Sequence, residues 1–256
     1  MIYLVTGSNG FIGTNLTNYL LQRGHEVVGL DYQHCDLCEG FPAILTSRKI
    51  DVIVHLAAET DVRESLQNPE KFFIRNCQST VLMLELAKKL GSKFIFTSSQ
   101  AANYCLSPYG ASKLACEALI ESYRNAYGLN VVILRLSNVY GPHSIHKQSV
   151  ISEFIKAKLN HRPAKIYGSG EQVRDFIHVQ DVCEVIASAD KDLTVSTGKL
   201  TSINRLVDLL SIPTVHYMHS IKGEINSVDS YSEISYSIGL EEGLTQTLQW
   251  FKENYK

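Results

Sequence analysis

Ser99, Tyr109 and Lys113, in the stretch from Phe94 to Lys113, are the residues whose types and spacing could do chemistry. Phe94-Ile95-Phe96 is a run of strand formers that ends in the hydroxyl cluster Thr97-Ser98-Ser99. Open α/β sheets bind ligands beyond the carboxyl ends of their strands, so a hydroxyl at that end faces the crevice. Ten residues later Pro108 introduces Tyr109-Gly110-Ala111-Ser112-Lys113 and a helical run rich in Ala, Leu and Glu. Tyr109 and Lys113 thus share one helical face, and an ammonium at that spacing lowers the pKa of a nearby phenol. A tyrosine made basic in this way can take a proton from an alcohol. Tyr-x-x-x-Lys alone equally fits an ordinary helix after a serine-rich turn, so the decision rests on the rest of the chain.

The first element needed to position such a site lies at the start. A β run, Met1 to Val5, leads into Thr6-Gly7-Ser8-Asn9-Gly10-Phe11-Ile12-Gly13 and a helical run from Thr14 to Arg23. Glycines at 7, 10 and 13 allow a tight turn, a close approach of backbone to a diphosphate and close packing of helix on strand. The anion would sit at the helix N-terminus, on free N–H groups and the positive end of the dipole. A glycine trio also occurs in generic α/β proteins, and its context makes it specific here. Gly24 stops the helix, and a second strand, Glu26 to Asp31, ends in an acid 18 residues after Gly13. That spacing suits a carboxylate accepting from ribose hydroxyls. The same charge would repel a 2′-phosphate, so the expected cofactor is NAD rather than NADP.

Ile50 to Ala58 is a near-continuous apolar run, as in a parallel strand buried on both faces. A helix is expected from about Glu70 to Leu90, then the Phe94 strand, the Tyr109 helix ended by Gly128, and another buried strand over Val131 to Leu136. Strands and helices alternate to about residue 140. The fold class is therefore α/β, a doubly wound parallel sheet.

With 256 residues, 45% apolar, 20% charged and a net charge of −2, the chain has ample material for a core and no charge excess calling for nucleic acid. It contains no apolar run near the ~20 residues a membrane span needs and no leader pattern at its N-terminus, so no membrane association and a cytoplasmic location are expected. The six cysteines are expected to be reduced. Cys35-Asp36-Leu37-Cys38 has the spacing of half a metal or redox site, but no second pair follows, and His143 and His146 are isolated. No metal is expected.

Several ordered segments carry a resemblance. They are Thr6 to Gly13, His55-Leu56-Ala57-Ala58, Thr97 to Ser99, Tyr109-x-x-x-Lys113, Arg135 to Pro142 and Tyr167 to Asp181. Together the chain resembles the extended short-chain dehydrogenase/reductases of the NAD-dependent epimerase/dehydratase group, which act on nucleotide sugars. The resemblance implies a Rossmann domain over residues 1–142, with a segment near 175–190 returning to it, and a smaller substrate lobe over 143–256. It implies that Tyr109 is the general acid/base, that Lys113 holds the nicotinamide ribose, and that Ser99 bonds the reacting sugar hydroxyl. The glycine turn with Asn9, Phe11 and Ile12, together with Asp31 and Leu56 to Ala58, would hold NAD, and Asp36-Leu37 would read the adenine. Asn138 and Arg174 would contact the nucleotide sugar, an arginine fork being suited to phosphate oxygens. It further implies a homodimer through the helix before the Phe94 strand and the Tyr109 helix; Val81, Leu82, Leu84, Leu119 and Ile120 fit that face or, equally, the core.

The departures bear on the reaction. Where the 4,6-dehydratases of this family carry Asp-Glu after the catalytic hydroxyl residue, this chain has Gln100-Ala101. Where the epimerising reductases carry a cysteine, Gln100 stands again. Ile221-Lys222 replaces an arginine often found before the C-terminal Gly-Glu. The segment after Asp31, the Ser99–Tyr109 loop and the C-terminal region are short. The expected activity is 4-epimerisation of a nucleotide sugar through a 4-keto intermediate. An NAD(P)H-dependent 4-ketoreductase and a catalytically silent NAD-binding protein are the alternatives.

Overall fold

The computed structural model describes residues 1–218 and 230–255. In chain order the elements are β1 (Ile2–Thr6), α1 (Phe11–Gln22), β2 (Glu26–Leu30), a 3-10 turn (Ala43–Ser47), β3 (Val52–His55), α2 (Val62–Gln67), α3 (Pro69–Leu90), β4 (Lys93–Ser99), α4 (Ala101–Tyr104), α5 (Pro108–Tyr127), β5 (Val131–Leu136) and β6 (Asn138–Tyr140). They continue with α6 (Val150–Leu159), β7 (Ala164–Tyr167), β8 (Val173–His178), α7 (Val179–Ser188), β9 (Leu193–Val195), β10 (Leu200–Ser202), α8 (Ile203–Leu210), β11 (Thr214–Tyr217) and α9 (Leu240–Asn254).

Six parallel strands form the main sheet in the order β2-β1-β3-β4-β5-β9. Both faces are covered, which is why these strands read as continuous apolar runs. Leu16, Leu20, Val182 and Ile186, from α1 and α7, pack on one face, and Met83, Leu84, Cys116 and Ile120, from α3 and α5, pack on the other. A third core, around Phe154, Ile166, Leu206 and Phe251, belongs to the C-terminal elements. The expected doubly wound fold is thus observed. α7 packs against α1, and β9 extends the sheet, so the segment 179–195 lies with the N-terminal elements.

Among the described residues the sheet stops at β2, whereas a six-stranded dinucleotide fold adds a strand beyond it. Between Leu30 and Val52 the chain forms turns and the 3-10 segment instead. Part of that stretch, Leu37, Leu45 and Ile50, is buried in the core, leaving too little chain for another helix and strand. The strand expected over residues 50–58 ends at His55, because the backbone beyond turns away and Ala57 N–H donates to Thr6 Oγ1 (3.2 Å).

Of the two placements open to the nominated dimer positions, four take the core. Leu84 and Ile120 are fully buried, and Leu82 and Leu119 pack against the same core. The stripes that α3 and α5 turn outward carry Phe73, Ile74 and Leu114, which are 57%, 45% and 41% exposed. Ile221-Lys222 lies outside the described residues.

Close approach dictates the first turn. Gly7 has φ +67°, and a Cβ there would stand 2.9 Å from Ala57 N. At Gly13 a Cβ would come within 2.0 Å of Gly7 O, which is backbone and cannot step aside. A Gly13→Ala change is therefore expected to cost about 1–3 kcal/mol through forced backbone movement. Calorimetry would show this as a thermal midpoint several degrees lower, and an unchanged midpoint would show that the turn relaxes freely.

Candidate active site

The strand order reverses at β1, between β2 and β3, and a cleft of about 1630 Å³ opens beyond the carboxyl ends of these strands. Its walls bring together Gly7, Gly10, Phe11, Ile12, Gly13, Asp31, Asp36, Leu37, Leu56, Ala57 and Ala58 from the sheet side. The same cleft is lined by Ser99, Tyr109, Lys113, Asn138 and Arg174. Of the residues expected from sequence, Asn9 alone is absent from its walls. Asn9 instead donates its backbone N–H to Asp31 Oδ2 (3.0 Å), tying the glycine turn to the end of β2.

The turn fits a dinucleotide diphosphate. Gly10 caps α1 without any side-chain bond, and the first turn of α1 holds no acid, so its N–H groups and dipole are left for an anion. Asp31 closes the other side with a carboxylate. Asp36 directs its oxygens to Cys38 N–H (2.9 Å) and Arg75 (3.3 Å), while Leu37 is largely buried beneath it. Cys35 and Cys38 thus belong to a turn, and among the described residues no cluster suited to a metal occurs.

Ser99 ends β4, and its Oγ accepts from Ala101 N–H (3.2 Å). Ser107 caps α5 by accepting from Gly110 N–H (3.2 Å), and Pro108 occupies the first helical position, so Tyr109 enters on a fixed first turn. Asn76 on α3 holds that turn from behind: its Nδ2 donates to Ser112 Oγ (2.9 Å), which donates to Tyr109 O (2.8 Å).

The electrostatics differ from the simple expectation. Burial is the largest influence on Tyr109 and raises the pKa of its phenol, and the Ser99 hydroxyl acts in the opposite direction. The Lys113 ammonium is directed into the sheet, donating to Thr97 O (2.9 Å) and lying 4.5 Å from the centre of the Phe96 ring. Lys113 is 3% exposed, and burial lowers its pKa to about 8. His55, wholly buried behind it, is pushed to about 3 by burial and then by the Lys113 charge, so it is neutral. Thr6 Oγ1, which accepts from Ala57 N–H, is hydrogen-bonded to His55 Nδ1 at 2.8 Å.

Two further residues had no signal of their own in the sequence. Lys147 lines the cleft from the loop before α6, with Nζ 5.6 Å from the centre of the Phe11 ring, and burial lowers its pKa. Glu117, one turn beyond Lys113 and 4% exposed, accepts from Ser98 Oγ and from Arg135 Nε (2.9 Å). Its spacing from Lys113 was visible, but its partners come from two strands.

The profile of the NAD dependent epimerase/dehydratase family matches residues 3–196. The chain is 30% identical to a protein of Methanocaldococcus jannaschii described as a putative UDP-glucose 4-epimerase, across 98% of each. That alignment extends over 300 residues although this chain has 256, so the shortening is internal. The chain is also 29% identical to the UDP-glucuronate 4-epimerase of Thermodesulfobacterium geofontis, across 98% of this chain and 96% of that one. The solved structure of the Thermus thermophilus UDP-glucose 4-epimerase in complex with NAD superposes with a TM-score of 0.90 at 26% identity, covering 99% of this chain and 100% of that one. A profile match over most of the chain, on a sheet and cleft of this construction, places it in the NAD dependent epimerase/dehydratase family.

Proposed function

We propose that this protein is an NAD-dependent nucleotide-sugar 4-epimerase. The observation that carries the reading is that Ser99, Tyr109 and Lys113 share one cleft with the glycine turn, while Gln100 and Ala101 follow Ser99. One proton-transferring group is what removal and return of a single hydroxyl proton requires; elimination would need further acids and bases beside it. Relatives named as 4-epimerases support the same choice.

In the proposed reaction Tyr109 takes the proton of the sugar C4 hydroxyl while Ser99 holds the same oxygen. NAD, when bound, supplies a two-electron acceptor that is restored within the turnover. The Gly7–Gly13 turn would seat its diphosphate, Asp31 the adenosine ribose, Asp36-Leu37 the adenine and Lys113 the nicotinamide ribose. Asn138 and Arg174 would hold the nucleotide end of the donor, leaving the sugar free to turn over in the broad cleft before Tyr109 returns the proton. The proposal extends to two lobes, 1–142 with the 179–195 segment and the remainder, and to a cytoplasmic homodimer formed through Phe73, Ile74 and Leu114. Among the described residues no helix is long and apolar enough to cross a membrane.

NMR of the protein with UDP-, dTDP-, GDP- and CDP-sugars and a trace of NAD tests the reading. Interconversion of a C4 pair without net NADH is expected; one-for-one consumption of a 4-keto sugar with added NADH or NADPH, and no interconversion, would establish a reductase instead. Tyr109→Phe should lower turnover by about 10²–10⁴-fold with NAD affinity retained. Lys113 yields a stability prediction of definite sign. Burial lowers its pKa from 10.5 to about 8 in the folded chain. Below pH 8 both states hold the proton and the folded state bears the full cost; between about 8 and 10.5 the unfolded chain holds more protons, so stability rises with pH. Lys113→Met should raise the thermal midpoint at pH 7 by several degrees, with the gain shrinking toward pH 10, while NAD binding weakens. A lower midpoint at pH 7 would show that the ammonium stabilises the fold. Light scattering at micromolar concentration should give twice the mass of the chain, and a monomer mass would reject the dimer.

A further inference from the structure

Lys147 lies in the loop that joins β6 to α6, and its ammonium crosses to the glycine turn. Nζ stands 5.6 Å from the centre of the ring of Phe11, the first residue of α1, and both residues line the cleft. That placement is fastened at both ends of the loop. Asn15, one turn into α1, donates from Nδ2 to Phe11 O (2.8 Å) and to Pro142 O (2.9 Å), which ties the loop to the helix. Ser144, 1% exposed, shapes the rest: its carbonyl accepts from Lys147 N–H (3.0 Å) and from Ser152 Oγ (3.1 Å).

The charge held there is poorly matched by the protein itself. Among the described residues Nζ has no hydrogen-bond acceptor and forms no ion pair. Burial is the largest influence on the ammonium and lowers its pKa, with the Asp61 charge acting against it. Asp61, however, directs Oδ1 to Glu64 N–H (2.9 Å), where it caps α2. The helix beside Lys147 makes matters worse. α1 opens with no side-chain cap bond and no acid in its first turn, so its positive end faces the space that the ammonium enters. An aromatic ring is weak company for a cation, and two positive ends brought together call for an anion between them.

Resting on the reading that the Gly7–Gly13 turn seats the diphosphate of NAD, we propose that Lys147 is a further binding residue for that diphosphate, reaching it from the C-terminal part of the chain. The glycine turn offers neutral N–H groups and a dipole, and Lys147 adds a full charge to them. A lysine suits the task, because a compact ammonium with three donors satisfies phosphate oxygens on whichever side they present. Arg174 is the cation proposed for the sugar nucleotide, and the position of Nζ over Phe11 assigns Lys147 to the dinucleotide instead. NAD is then held from two sides, by the sheet and by a loop tied to α1.

Titration calorimetry with NAD, ADP-ribose and UDP, on the protein freed of bound nucleotide and on its Lys147→Met and Lys147→Arg variants, tests this. Met keeps the bulk and removes the charge, and Arg keeps the charge. Lys147→Met should bind NAD and ADP-ribose about tenfold more weakly and UDP as the wild type does. Lys147→Arg should recover most of the loss. Without ligand, Lys147→Met should melt at or above the wild-type temperature, since an unpaired buried charge is removed. A much lower midpoint would show that the ammonium holds the fold and would overturn the assignment. Equal NAD affinity of all three proteins would overturn it too, as would a loss for UDP as large as that for NAD. A loss for NAD that ADP-ribose does not share would place the contact at the nicotinamide end and overturn the diphosphate assignment. If the wild type bound neither NAD nor ADP-ribose, the assignment would fall together with the reading of the glycine turn. The expected pattern in a wild type that interconverts no C4 pair would leave Lys147 in place and overturn the epimerase reading alone.

Discussion

The site depends on how α5 is fastened to the ends of β4 and β5. Two buried charges on successive turns of α5 make that attachment: Lys113 reaches Thr97 O, and Glu117 takes Ser98 Oγ and the Arg135 guanidinium. Burying ions is costly unless their bonding capacity is filled, so each has essentially one acceptable seat. A slide or rotation of α5 would break both. That fixes Tyr109, one turn earlier, against Ser99 at the end of the strand that these same bonds grip. Lys113 pays for the arrangement in reduced basicity, and the neutral His55 below it adds no second charge.

The opposite wall is held by steric exclusion. At Gly7 and Gly13 the backbone passes so close to Ala57 and to itself that no side chain fits. The Thr6–His55 pair then fixes the Ala57 N–H from within the sheet. Asp31 joins the two strands through Asn9 N–H, so the acid that would read a ribose also sets the shape of the turn. One wall is electrostatic and one is steric, and both converge on the carboxyl ends of parallel strands.

Much of this was legible in the sequence because local rules govern it. The glycine turn, Asp31, the parallel sheet and the sharing of one cleft by Ser99, Tyr109, Lys113, Asn138 and Arg174 follow from spacing, strand pattern and family motifs. What was not legible depends on direction and tertiary context. The i,i+4 spacing of Tyr109 and Lys113 was correct, but it carries no information on where a long side chain ends, and the ammonium turns to Thr97 O. Leu84 and Ile120 lie among the apolar residues of α3 and α5, and only the packing shows that they face the core while Phe73, Ile74 and Leu114 face out. The missing outer strand after β2 was foreshadowed by a short segment, but its replacement by a 3-10 turn was not.

Gln100 shows how composition next to a reactive group restricts the reaction. A carboxyl or thiol in its place could exchange a proton with the sugar beside the newly formed ketone, where adjacent C–H bonds are acidified, and elimination or a second inversion would compete. An amide there holds no group that titrates at neutral pH. In the proposed reaction the two positions after Ser99 thus add no titrating group to Tyr109. In the proposed reaction selectivity among the chemistries open to a 4-keto sugar comes from which groups can titrate, while the groups that cannot titrate hold the sugar.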